Sequence, residues 1–333
     1  MENTTNEEIV ELTYEDAKSE GIIEEIEVEQ RHLKPSFPSA FVSSKIFPTF
    51  TLKNCTQAIL SICQHSDFSY DTATKQHLFQ NSLLDNEKIR FLASKINNEY
   101  NFQNFNFSLF LQAIQTICEQ NSFDSVKKFF DDIPAWDGTE RICRFFQDYF
   151  YASNNDFYLS EVSRRFFIGA VSRAYNPGVK YDFCPVLSGP QGIGKTYFLT
   201  LLTSEKLVTS IDDSDDFGTS KTVTKIQGKI FVCFEELAFL SKKAISHVKQ
   251  LITQTHDTTR LPYQPISSTF PRQFIFVGNT NESQFLNDDT GNRRFLPITC
   301  RTGAQKSIFS DLPAEKDQLW AEAIHYYKSN TLI

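Results

Sequence analysis

Between Gly189 and Thr196 the chain reads GPQGIGKT, a match to GxxxxGK[ST] in which three of the 12 glycines fall within six positions. Glycines at 189, 192 and 194 let the backbone curl until its N–H groups converge on a polyphosphate, and a following helix adds its positive end. The eight residues Gly189, Pro190, Gln191, Gly192, Ile193, Gly194, Lys195 and Thr196 are therefore expected to bind ATP. Lys195 is expected to reach the β and γ phosphates, and the Thr196 hydroxyl to hold Mg²⁺. No NKxD guanine-reading motif follows, which disfavours GTP, and nothing indicates the acceptor pocket of a small-molecule kinase.

Such a loop needs one carboxylate for the metal's water shell and another to orient the attacking water. KIFVCFEEL supplies the pair Glu235 and Glu236 at the end of an apolar strand, where side chains first reach solvent. Glu235 is expected to serve magnesium and Glu236 to polarise water, the reverse assignment staying open. A third strand, FIFVG, runs into Asn279-Thr280-Asn281, and Asn281 is expected to position the water. Further on, GNRRF offers Arg293 and Arg294, either as surface partners of Asp288 or Asp289, or as an arginine finger delivered to a neighbouring subunit's nucleotide.

The elements that must place these residues are legible in the pattern. Short apolar strands at 183–187, 230–234 and 274–277 alternate with helical stretches at 196–202 and 243–252, the rhythm of an α/β fold with a mainly parallel sheet. Ahead of them EVSRRFFIGAVSRAY, from Glu161, reads as an amphipathic helix stopped by Asn176-Pro177-Gly178. Further upstream, Ile89, Leu92, Ala93 and Ile96, and then Leu109, Leu111, Ile114 and Ile117, recur at helical spacing and form core stripes. Phe102, Phe105 and Phe107 fit the same core reading, with base stacking as the alternative. Three segments are expected: an acidic, disordered leader over 1–31, a helical N-terminal domain over 32–155, and a P-loop ATPase domain over 156–333.

Charge follows this division. The net charge is −8, but residues 1–30 hold 11 acids and one lysine, leaving 30 acidic against 32 basic residues in the body. An acidic total therefore does not exclude a polyanionic partner. Seven scattered cysteines without a CxxC pair indicate neither a disulfide framework nor a zinc site. There is no basic-flanked apolar leader and no run of the length a membrane span needs, so a cytoplasmic location and no membrane partner are expected.

Beyond these local readings, the chain resembles the virulence-associated protein E family of mobile-element ATPases, related to superfamily 3 helicases within the AAA+ class. The resemblance rests on IPAWDGTERI (133–142), IGAVSRAYNPGVKYD running into the P-loop, the acidic strand, TTRLPYQ, GNTN and TGNRRF, in that order. Trp136-Asp137-Gly138 and Gly291-Asn292-Arg293-Arg294 are its most particular parts. It implies a superfamily 3 helicase-like P-loop NTPase core and a homo-oligomeric ring, expected to be a hexamer. The ring would move along single-stranded DNA during replication of a phage, plasmid or chromosomal island, with an initiator or loading protein as a further partner. It also implies a β-hairpin at 261–272 projecting into the ring's channel, where Arg260, Tyr263 and Arg272 are candidates for touching DNA. A proline-bounded surface loop is the alternative for that stretch. The competing function is a nucleotide-dependent switch or assembly ATPase, acting in phage interference or origin melting without processive unwinding.

Overall fold

The computed structural model describes residues 50–102, 104–212, 215, 219–236, 242–260, 267–282 and 292–329. The acidic leader and Tyr263 lie outside the described residues. Two units are resolved, residues 1–123 and 124–333, so the boundary falls well before the expected residue 155.

In the first unit three helices, α1 (Leu52–Ile62), α2 (Asn86–Tyr100) and α3 (Phe107–Gln120), start at polar caps. Thr51 Oγ1 accepts from Asn54 N, Asp85 Oδ1 from Lys88 N, and Asn106 Oδ1 from Ser108 N and Leu109 N. Both expected stripes supply core: Leu92, Ala93, Ile96, Ile114 and Ile117 are buried together with Phe102, which packs on Phe50. Phe107 is exposed. The unit is not purely helical, however. Strands β1 (Phe68–Asp71), β2 (Gln76–Phe79), β3 (Ser82–Leu83) and β4 (Ser122–Phe123) form a sheet in the order β3-β2-β1-β4. Strands of two to four residues are too short to display a period of two, so only pairing reveals them.

The second unit begins with α4 (Ser125–Asp131), α5 (Phe145–Phe150) and α6 (Asp156–Tyr175). Residues 124–155 belong here because of what their aromatic side chains meet. Phe130 packs edge-on against Trp320, and Phe145 against Phe167. Helical periodicity shows that such a segment has an apolar face, but not which core receives it.

The sheet of this unit contains β5 (Cys184–Ser188), β6 (Val208–Ile211), β7 (Phe231–Phe234), β10 (Ile275–Thr280) and β11 (Phe295–Thr299). All neighbours are parallel, in the order β11-β5-β10-β7-β6. Helices α7 (Tyr197–Leu202), α8 (Ser220–Ile226), α9 (Lys242–Thr253) and α10 (Asp311–Lys328) complete it. Parallel strands covered on both faces are apolar at successive positions. Along β7, Phe231 stacks on Phe166 of α6 at 5.0 Å, while Val232 and Phe234 join Ile226, Val248, Leu251 and Ile252 in a second core. A hairpin of β8 (His256–Thr259) and β9 (Ser268–Pro271) leads into β10.

Candidate phosphate-binding site

Strand β10 lies between β5 and β7, so the chain leaving the ends of these three strands converges. The ends carry the glycine-rich loop, the acidic pair and the asparagine run. Gly189 opens the loop directly after β5, its N–H donating to Thr280 O at 3.2 Å. Its φ is +153°, and a Cβ there would lie 2.4 Å from the Cys300 carbonyl oxygen. Only glycine meets both conditions.

Lys195 is 8% exposed. Its ammonium donates to the carbonyls of Gly189 (2.7 Å) and Pro190 (2.8 Å) and to Asn281 Oδ1 (2.9 Å). Burial pushes its pKa below the ordinary lysine value, with Cys300 and the Glu236 carboxylate opposing. Asn281 turns its amide to Glu236, donating from Nδ2 to Oε1 at 2.8 Å. The backbone N–H of Glu236 donates to Asn279 Oδ1 at 3.0 Å, and Asn279 Nδ2 donates to Thr196 Oγ1 at 2.5 Å. Lys195 and Thr196 are adjacent, so the bonds close a circuit of five residues drawn from three separate chain segments.

Two features set the circuit apart from ordinary structural hydrogen bonding. Glu236 adopts φ +53°, a left-handed conformation that costs a non-glycine residue energy and concentrates at functional sites. Its Oε2 is buried and has no hydrogen-bond partner among the described residues. A carboxylate oxygen in that position is costly until a cation or an ordered water meets it. The Thr196 hydroxyl and the carboxylates of Glu235 and Glu236 are hard oxygens, the donor type that magnesium takes.

The amide run does not by itself give Asn279 a role, although it stands two positions before Asn281. It is 6% exposed and holds both the loop threonine and the backbone of the acidic pair. The signal was present in the amide run but could not separate the two asparagines. Residues two apart on a strand face the same way, so only the end of β10 at Thr280 and its register against β5 give each asparagine its own neighbours.

The arginines are placed elsewhere. Arg293 is exposed and Arg294 half-buried in the turn before β11. Phe295 is level with Cys184 at the start of β5, whereas the loop follows Ser188 at its end. A strand of this length separates the two ends by about 13 Å, so both arginines stand away from their own chain's loop. Asp288, Asp289 and Gly291 lie outside the described residues.

Of the hairpin candidates, Arg260 is exposed at the end of β8. Arg272 corrects the expectation of a DNA contact, because it is 1% exposed. Its guanidinium donates to Asp257 Oδ1 at 2.6 Å and Oδ2 at 2.8 Å, to Gln254 Oε1 at 2.8 Å, and to the carbonyls of Leu251 and Gln254. A side chain that has spent its donors on a carboxylate across the hairpin is a structural pin, not a phosphate contact.

The Trp136-Asp137-Gly138 segment is likewise tied into the fold. Asp137 takes a bidentate pair from Arg141 at 2.7 and 2.8 Å, and Trp136 packs on His325 of α10. The buried Glu322 of α10 accepts from the backbone N–H groups of Arg141 and Ile142. Among the described residues there is no group of three or more metal-ligating side chains and no helix long and apolar enough to cross a membrane.

The sequence profile of the virulence-associated protein E-like domain matches residues 130–332, and the chain belongs to this family. Among solved structures, the apo structure of NrS-1 C terminal region (305-718) is similar at a TM-score of 0.51 and 12% identity, covering 79% of this chain and 67% of that one. The A form apo structure of NrS-1 C terminal region-CTR is similar at a TM-score of 0.50 and 12% identity, with 80% and 68% covered. At such identity the likeness is one of fold. No curated protein matches the chain.

Proposed function

We propose that this member of the virulence-associated protein E-like family is an ATP-dependent, DNA-stimulated motor ATPase of a replication apparatus. It would act as a homo-oligomeric ring on single-stranded DNA. The observation that supports the ATPase is the closed circuit Lys195, Asn281, Glu236, Asn279, Thr196 at the mouth of the glycine-rich loop. A structural lysine with this burial would ordinarily face a carboxylate; Lys195 faces carbonyl and amide oxygens, partners that an incoming phosphate outcompetes.

In this scheme residues 189–196 wrap the polyphosphate, and Thr196 with Glu235 or Glu236 would hold Mg²⁺. Bound Mg²⁺ supplies charge neutralisation on the phosphate oxygens. Lys195 moves its hydrogen bond from Asn281 to the γ phosphate, which releases the Asn281 amide to position the attacking water. Glu236, kept in place by Asn279 through its backbone, accepts a hydrogen bond from that water at its carboxylate and orients it. Arg293 or Arg294, remote from its own loop, would serve the site of the adjoining subunit, where a planar cation stabilises the transferring phosphoryl group.

The alternative, a nucleotide-dependent switch that does not translocate, gains support from Arg272. Its loss as a channel cation leaves fewer basic contacts for a hairpin to grip DNA. The deciding measurement is ATP hydrolysis with and without single-stranded DNA, followed by ATP-dependent strand displacement. The motor requires a rise with DNA and displacement of the strand; a rate indifferent to DNA would favour the switch. Rings mixing Glu236→Gln with Arg293→Ala or Arg294→Ala should recover hydrolysis if the arginine acts across the interface.

A further inference from the structure

Two large rings beside the loop are held out of the core. Tyr197 is 50% exposed and Phe309 62%. Their centroids are 6.0 Å apart with planes inclined by 30°. Tyr197 follows Thr196 directly, so the chain itself sets it at the rim of the loop. Phe309 reaches the same rim from the segment before α10. A Cβ on Gly194 would lie 1.9 Å from Ile308 Cδ1 and 3.9 Å from Phe309 Cζ, so that segment presses against the loop's last glycine.

The segment is braced. Ser307 N donates to Asp311 Oδ2 at 2.7 Å, Phe309 N to Ser307 Oγ at 3.2 Å, and Lys306 N to the Asp148 carbonyl at 2.9 Å. The Lys306 ammonium is gripped by both Glu315 oxygens at 2.8 Å. Under these restraints Ile308 turns inward, 4% exposed, and Phe309 turns outward. A braced turn that buries the aliphatic residue and presents the aromatic one leaves the larger apolar side chain in water. It gains a π-face beside a phosphate loop.

We propose that Tyr197 and Phe309 form the platform on which the nucleobase of the bound nucleotide stacks. A polyphosphate cradled by residues 189–196 leaves its nucleoside at one rim of the loop, and the aromatic pair is the exposed apolar surface at the Gly194 rim. The two rings already touch, so the base lies across them rather than between them. The inference rests on the nucleotide reading above and adds to it the residues that recognise the nucleoside half of the ligand.

Binding of ATP and of inorganic tripolyphosphate, each with Mg²⁺, to the full chain by calorimetry separates the two claims. Phe309→Ala and Tyr197→Ala should each weaken ATP by roughly tenfold and leave tripolyphosphate unchanged. Phe309→Trp should retain ATP affinity, and Lys195→Ala should lose both ligands. Equal affinity of the wild type for ATP and tripolyphosphate, or unchanged ATP affinity in both alanine variants, would overturn the platform alone. So would a loss shared equally by the two ligands, which would mean that the loop had been disturbed. Failure of the wild type to bind either ligand would overturn the nucleotide reading itself.

Discussion

Lys195 and Arg272 are both basic, both nearly buried and both fully bonded, yet they are solvated in different ways. Arg272 sits against a carboxylate, Asp257, at 2.6 Å, with backbone carbonyls and the Gln254 side chain taking its remaining donors. Lys195 bonds two carbonyls and an amide oxygen, and among the described residues no carboxylate bonds it directly. A charge neutralised by an opposite charge is committed, because releasing it would strand its partner. A charge held only by dipoles is kept in place but remains available to an anion. Both groups are buried with every donor used; what differs between them is the formal charge of the partner.

This contrast is most open to challenge at Arg272. Arg272→Ala should destabilise the second unit by about 3–5 kcal/mol in urea unfolding, since Asp257 is left buried and unpaired. Arg272→Lys should recover only part of that, an ammonium being unable to reproduce the guanidinium's fork. Lys195→Met should have the opposite profile: stability altered by less than about 1 kcal/mol, and ATP hydrolysis lowered on the order of 10²–10³-fold. A Lys195→Met protein that unfolds as readily as Arg272→Ala would erase the distinction.

Smaller effects sharpen the circuit. Asn279→Ala removes bonds to Thr196 and to the Glu236 backbone and should cost about 1–3 kcal/mol of stability along with hydrolysis. Asn281→Ala, at an exposed position, should leave stability nearly unchanged while reducing hydrolysis roughly tenfold. The smallest effect is on pH dependence. Because the Lys195 pKa is depressed, the unfolded chain binds more protons than the folded one as the pH nears the ordinary lysine value. The stability of the empty protein should therefore rise through that alkaline window while ATP affinity falls, as titrations of unfolding and of binding would show. Parallel slopes would remove Lys195 from the ligand's path.

The parts of the site carried by consecutive residues were legible without a structure. GPQGIGKT between a strand and a helix, the strand ending in Glu235-Glu236 and the run to Asn281 all fall on the elements expected of them, with boundaries shifted by up to three residues at the strands. The helix before them starts earlier than Glu161, at Asp156, because the Asn155 side chain caps it. Strands β6 and β11, at the two edges of the sheet, are not legible in the pattern, since β6 is mostly half-buried and β11 contains a proline and exposed positions. Their membership comes from pairing with β7 and β5.

What the sequence determined by itself is thus local: a glycine-rich loop between a strand and a helix, carboxylates at a strand end, and the family to which the chain belongs. Only the tertiary structure decided that residues 124–155 join the second unit, that Asn279 ties Thr196 to Glu236, and that Arg272 is locked to Asp257. The physical reason is range. A glycine-rich turn or a strand end is defined by neighbours along the chain, whereas the meaning of an isolated arginine or amide depends on the group that folding brings against it.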